Sequence, residues 1–323
     1  MKKMAILNTA VFSFNQGDYI IMESAKNNLK DILRQNFIVE IPTHSPALHS
    51  YQYGKSIKKD LQEMNPKFVC GTNLLNKNMM RRRTTWNLKL HDAKYINNCV
   101  MVGVGAGNIG KFNWYTRKIL KRALSREYIH SVRDEEAKQM LESLGFKVLN
   151  TGCITLWGLN KEHCDKIPIH KKEKVVFTLT DYKKDKEHDQ KLIDILNKNY
   201  KELYFWVQGF GDLKYLDELE NTDRVKIIGS SIEEYTEFLR DVECDFVGTR
   251  LHAGIKAIQE YKRSIIIIVD NRARSMKRDY NLNCIERDEL EEKLEDFINS
   301  DIKTEIHINN NKIKEWKQQF KLK

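Results

Sequence analysis

Short apolar runs alternate with amphipathic stretches along the whole chain, and this alternation predicts an α/β protein. Met4 to Leu7 reads as a buried strand, and Asp18 to about Arg34 as a helix with Ile20, Ile21, Ala25 and Leu29 on one face. Phe37 to Ile41 is a second strand, stopped by Pro42. Lys67 to Cys70 and Cys99 to Val104 are short apolar strands, Trp114 to Leu124 is a basic helix, and Tyr128 to Val132 returns to strand. Asp134 opens a helix that runs to Leu144, with acids in its first turn and Gly145 as its stop. Phe146 to Leu149 completes this series.

The polar stretch Asn160 to Lys174 interrupts the alternation, and a second series follows. Its strands are Val175 to Thr180, Leu203 to Val207, Val225 to Ile228, Asp245 to Val247 and Ser264 to Val269. Ser231 and Glu234 form a capping box for a helix from Ile232 to Arg240. The expected organisation is an N-terminal Rossmann-like domain over 1–165, a C-terminal one over 170–308, and a closing helix over 309–323. Strands that alternate with helices call for parallel sheets covered on both faces, with the two domains facing across a cleft.

One junction in the second series carries chemistry. The apolar run from Cys244 ends in Gly248-Thr249, Arg250 and His252 follow two residues apart, and a helix-like run begins. In an open α/β sheet, ligands bind outside the carboxyl end of a strand and at the N-terminus of the next helix. Arginine offers a planar fork of donors to phosphate or carboxylate, and histidine exchanges protons near neutrality. The alternative is an arginine that caps a neighbouring element and a histidine packed under the helix. Variants of Arg250 and His252 are expected to fold normally if both side chains face a ligand.

Charge narrows the partners. The formal charge of +10 favours anionic ligands, with Arg81 to Arg83 as the densest basic cluster. No nucleic-acid-binding module is evident, so no specific nucleic acid is expected. The six cysteines are scattered without a C-x-x-C pair, which argues against a metal site or a disulfide framework. The start of the chain has an apolar core too short for a signal peptide, and no run is long enough to span a bilayer, so a cytoplasmic location is expected.

Other motifs are weaker. Phe14-Asn15-Gln16-Gly17-Asp18 joins a strand to a helix and suits either a ligand approach or a plain helix cap. Gly105-Ala-Gly107-Asn-Ile-Gly110 has the spelling of a dinucleotide loop but lacks the acidic residue that should follow, so it reads as a ligand-lining or structural turn. Arg133 ends a strand as Arg250 does, with an ion pair to Asp134 or Glu136 as its structural explanation. Cys153 could expose a thiol, although no base is paired with it.

Asn15-x-Gly17-Asp18, Val132-Arg133-Asp134-Glu135 with Leu144-Gly145, and Arg250-Leu251-His252-Ala253, in this order, resemble the polysaccharide pyruvyl transferase family over nearly the whole chain. The chain departs from it at Thr151 to Ile154, where members often carry Asp-Pro, and at Tyr261 to Ser264, where they carry Gly-x-Pro. The resemblance implies the two-domain architecture of B-type glycosyltransferases. It also implies transfer of pyruvate from phosphoenolpyruvate to sugar hydroxyls of a cell-surface polysaccharide or its precursor, giving a ketal.

On this reading Arg250, with Arg133 and Arg272 from neighbouring strand ends and Thr249 beside it, holds the donor. His252 transfers protons, and Asn15, Gly17 and Asp18 orient the acceptor. No metal or cofactor is needed. A lipid-linked acceptor would bring the protein to the inner face of the cell membrane as a peripheral contact. Two further readings stay open: a B-type glycosyltransferase using a nucleotide sugar, and a catalytically silent glycan-binding homologue.

Overall fold

The computed structural model describes residues 1–44, 54–80 and 85–320; the basic cluster Arg81 to Arg83 lies outside them. Internal contacts divide the chain into two compact units. The first comprises Met1–Ser13, Ile21–Trp157 and Asn309–Lys323, the second Phe14–Ile20 and Gly158–Ile308. The chain thus passes between units at Trp157, just before the polar stretch, and the C-terminal helix belongs with the first unit.

The first unit holds strands β1 (Lys3–Asn8), β2 (Phe37–Pro42), β3 (Lys67–Cys70), β4 (Leu75–Asn76), β5 (Cys99–Val102), β6 (Ala106–Asn108), β7 (His130–Val132) and β8 (Val148–Asn150). Four of them form a parallel sheet in the order β2-β1-β3-β5. Strands β3 and β5 are buried at every position, which is why they read as short apolar runs. The parallel pairs β4–β6 and β7–β8 complete the set. Asp134 caps the helix Glu135–Glu142 by accepting from Ala137 N–H at 2.7 Å. The last helix, Asn310–Gln318, buries Ile313 and Trp316, and the Trp316 indole donates to Ile129 O at 2.7 Å.

His130 is fully buried in this unit. Its Nδ1 accepts from Met101 N–H at 3.2 Å, so the proton sits on Nε2, which donates to Ser125 O at 2.9 Å. Burial pulls its pKa from 6.5 down to about 4, against the opposing pull of the Ser125 carbonyl. A depressed folded-state pKa makes the neutral ring stabilising above the unfolded value, with that stability lost as pH falls through the folded one. Wild-type stability should therefore decline between pH 6.5 and 4 by on the order of 3 kcal/mol through this group. His130→Asn keeps an acceptor for Met101 and should flatten that limb in urea midpoints measured across the same range. An unchanged acid limb would assign it to other groups.

The second unit is one six-stranded parallel sheet of β9 (Lys174–Thr178), β10 (Glu202–Trp206), β11 (Val225–Ile228), β12 (Asp245–Gly248), β13 (Ser264–Ile268) and β14 (Cys284–Glu286). Their order is β11-β10-β9-β12-β13-β14, so within the unit the strands run 3-2-1-4-5-6. This is the doubly wound Rossmann order, and its switch point lies between β9 and β12. Register there pairs Val247 with Phe177 and Gly248 with Thr178. Ser231 caps the helix Ile232–Asp241 by accepting from Glu234 N–H at 3.0 Å, as the capping box requires.

The opposite end of β12 is tied by a buried ion pair. Arg263 donates to Asp245 at 2.8 Å and to the carbonyls of Ile298 and Ser300 at the end of the helix Leu290–Asn299. Tyr200 OH adds a second hydrogen bond to Asp245 at 2.9 Å.

All six cysteines are free and buried. Burial pushes the Cys70, Cys99, Cys244 and Cys284 thiols up to about 12. Cys153, a candidate exposed thiol from sequence, has its Sγ 3.1 Å from Thr155 Oγ1 inside the first unit. Among the described residues no helix is long and apolar enough to cross a membrane.

Candidate functional site

The carboxyl ends of β9 and β12 meet at the switch point of the second sheet. The chain leaves β12 at Gly248 and enters the helix Leu251–Gln259 with Arg250 as its N-cap residue. Arg250 N–H donates to Thr178 Oγ1 at 3.2 Å, and Thr249 N–H donates to Thr178 O at 3.0 Å. The Thr249 and Thr180 hydroxyls lie 2.8 Å apart. No acidic residue occupies the first turn of this helix, and no side chain caps it, so its amide end keeps its positive character.

Arg250 is 2% exposed, and much of its fork is used within the protein. Nε donates to Leu179 O and to Asp212 Oδ2, both at 3.0 Å. Nη2 donates to Asp181 Oδ1 at 2.9 Å and also bonds Asp212 Oδ1. Nη1 makes no hydrogen bond to any described residue. Asp212 is wholly buried, and burial raises its pKa despite Arg250 and the amide of Gly209. Asp181 and Asp212 make Arg250 a structural tie within the unit, whatever else its fork binds.

The Arg250 guanidinium lies over the Tyr182 ring, 4.9 Å from its centroid. Tyr182 OH in turn accepts from Arg272 Nη2 at 3.0 Å. Arg272 sits in the first turn of the helix Asn271–Tyr280, after β13, and Asp270 holds it through Nε at 2.9 Å and Nη2 at 2.6 Å. Burial opposes the Arg272 charge, but Asp270 and Tyr182 outweigh it and raise the pKa. Its Nη1 also has no hydrogen-bond partner among the described residues. Thr249, Arg250, His252 and Arg272 therefore gather at the carboxyl ends of two neighbouring strands, β12 and β13. His252 occupies the first turn of the helix and is 7% exposed.

Asn15, Gly17 and Asp18 join the same unit, although the sequence reading put them in the first domain. The reason is backbone pairing with the loop after β10. Asn15 bridges Gly209, Gln16 N–H donates to Gln208 O at 2.8 Å, and Phe210 N–H donates to Phe14 O at 3.1 Å. Asn15 Oδ1 accepts from Gly17 N–H at 3.0 Å, which fixes the turn into the helix Gln16–Leu33. Asp18 is buried in the first turn of that helix. Gly209 is glycine for a spatial reason: any Cβ there would collide with Arg250 Nη2.

Arg133 is not a neighbour of Arg250 in the sheet; it belongs to the first unit, at the end of β7. There it packs over Gly105, where a Cβ would strike its guanidinium, and it bonds Asn73 Oδ1. Its Nε lies 3.6 Å from Asp134 Oδ2. The loop that begins at Gly105 is thus shaped by an arginine packed on its first glycine. Sequence reasoning missed Asp181, Tyr182, Gln208 and Asp212. The Gly209-x-Gly211-Asp212 turn after an aromatic strand was the available signal.

The fold has relatives of known structure. UDP-GlcNAc 2-epimerase from Methanocaldococcus jannaschii, solved with UDP-GlcNAc and UDP, superposes with a TM-score of 0.55 at 15% identity over 99% of both chains. S. aureus MnaA, in its co-structure with UDP, gives 0.50 at 12% identity over 94% of this chain and 92% of its own. At such identities the likeness shows the fold alone: mixed α/β with parallel sheets, of the B-type glycosyltransferase kind. No curated protein matches the chain significantly. The model of the family described as polysaccharide pyruvyl transferase matches residues 15–271, from the Asn15 turn to the start of the helix that carries Arg272. The chain therefore belongs to the polysaccharide pyruvyl transferase family, a family of enzymes.

Proposed function

We propose that the protein transfers a pyruvyl group from phosphoenolpyruvate to two hydroxyls of a sugar in a cell-surface polysaccharide or its precursor, forming a ketal. The observation that carries this reading is the pair of arginine edges around Tyr182. Arg250 and Arg272 each keep Nη1 without a protein hydrogen bond among the described residues, beside the amide end of the helix Leu251–Gln259. Phosphoenolpyruvate carries a phosphate and a carboxylate, and it needs two such cationic edges and an amide cradle.

The reaction adds the oxygen of one hydroxyl to the central carbon of the donor while its methylene carbon takes a proton. A second hydroxyl of the same sugar then replaces the phosphate at that carbon. The products are a cyclic ketal and inorganic phosphate. His252, in the first turn of the helix, supplies or removes the proton. Thr249 lines the donor, and Asn15, Gly17 and Asp18 orient the acceptor. The proposed donor site is built from residues of the second unit; Arg133, of the first, packs over Gly105.

Incubation with phosphoenolpyruvate, and separately with nucleotide sugars, tests the reading directly. Phosphate release from phosphoenolpyruvate that depends on added glycan, with the glycan gaining an acid-labile carboxyl group, is the expected result. Consumption of a nucleotide sugar instead would make the protein a glycosyltransferase. Donor binding without phosphate release against any glycan would make it a silent homologue.

A further inference from the structure

Beside the Arg250 cluster the second unit displays aromatic side chains in the open. Phe210 is 86% exposed and Phe14 is 72% exposed, and their rings meet edge to face with centroids 6.0 Å apart. These are not loosely hung side chains. The backbone hydrogen bonds that join Phe14 to Phe210 and Gln16 to Gln208 fix both main chains.

Next to the rings is a polar group with an unmet need. Gln208 is 4% exposed, and its Oε1 is buried without a hydrogen-bond partner. The orientation of that amide follows from its neighbours. Asn15 Oδ1 accepts from Gly17 N–H, so the atom facing Gln208 is an oxygen, and Gln208 must present Nε2 to it, at 2.8 Å. Oε1 is left as an acceptor that water no longer reaches. A buried acceptor in this state favours any ligand that brings it a hydroxyl.

We infer that Phe14, Phe210 and Gln208 form a subsite for a sugar ring of the acceptor, a reading that rests on the proposed glycan substrate. A pyranose has an apolar face of C–H bonds and a rim of hydroxyls. An exposed aromatic ring packs against the first, and the Gln208 carbonyl, once the ligand's approach opens its cover, accepts a hydrogen bond from the second. A lipid chain would want continuous apolar surface without a buried polar acceptor in it. The place also suits the chemistry: Gly209, between Gln208 and Phe210, is the residue whose Cα approaches the Arg250 guanidinium. A sugar resting on Phe210 thus lies next to the donor edge. Phe210 and Gln208 are specificity residues in this account, and neither takes part in bond making.

A Phe210→Trp variant places a reporter on the platform. Titrated with a panel of neutral hexose and N-acetylhexosamine disaccharides, without phosphoenolpyruvate, it should give a saturable change of indole emission that the wild-type protein does not show. Adding Gln208→Leu should weaken that binding about five- to tenfold. Phe210→Ala, at so exposed a position, should melt as the wild type does, bind phosphoenolpyruvate equally well and raise the acceptor KM about tenfold or more. Saturable sugar binding in a protein that leaves phosphoenolpyruvate intact would uphold the subsite and remove the donor reading. Pyruvyl transfer with an unchanged acceptor KM in Phe210→Ala would remove the subsite and keep the donor reading. Absence of a saturable response to every disaccharide, or a response to phosphatidylglycerol vesicles in place of sugars, overturns the sugar subsite.

Discussion

Arg250→Ala should lower the stability of the second unit by about 3–5 kcal/mol, the usual cost of removing one partner from a buried ion pair. Asp212 is wholly buried and would lose the fork that now holds both its oxygens. Its pKa is already raised by burial, with Arg250 the main opposing influence, and would rise further in the variant. A carboxyl group raised in this way destabilises only where it would otherwise ionise, so the deficit should be largest near neutrality and shrink as pH falls. Adding Asp212→Asn to Arg250→Ala should recover part of the loss. Arg250→Lys should fall between, because one ammonium cannot span Asp181 and both oxygens of Asp212. The sequence expectation of normal folding is conditional on a side chain that faces only a ligand, and Arg250 bonds two carboxylates as well. Denaturant midpoints of the three variants against pH decide it, and unchanged midpoints for Arg250→Ala would show the pairing to be idle. Arg263→Ala is the useful contrast: it breaks the pair at the other end of β12 and should destabilise similarly, while leaving the donor affinity of the folded fraction unchanged.

His252→Ala should cost about a hundredfold or more in turnover. If His252 moves the proton, the loss falls on kcat more than on donor affinity, because a group used only in the transition state leaves ground-state binding largely intact. Its position two residues after Arg250, in the first turn of the same helix, ties it to the donor edge. The decisive measurements are single-turnover phosphate release and phosphoenolpyruvate affinity, taken with the melting temperature. Normal turnover by the folded fraction of a variant that unfolds readily would make His252 a packing residue.

The junction at Thr249, Arg250 and His252 was legible because an apolar run, a Gly-Thr turn and a helix start are all local signals. Likewise the Ser231 capping box and the Asp134 helix start depend on residues a few positions apart. What the sequence hides is pairing over distance. Arg250 looks the same whether it waits for a ligand or bonds Asp212, thirty-eight positions earlier. The membership of Asn15 in the second unit depends on a backbone bridge to Gly209, which no periodicity announces. The short strands β4 and β6 escape notice because two or three residues carry no alternation. The helix Lys55–Glu63 gives little sequence signal either, since Leu61 is its only buried residue and its apolar face is slight.

The buried cysteines supply an internal clock for each half of the molecule. Cys70, Cys99 and Cys153 fall in the first unit, Cys164, Cys244 and Cys284 in the second. None can react while its surroundings stay closed, so the rate at which each is alkylated in mild denaturant counts the openings of its own neighbourhood. Peptide mapping of the alkylated protein then times the two units separately in one sample. Arg250→Ala should quicken the clock at Cys244 and Cys284 and leave the one at Cys70 and Cys99 running at its former pace.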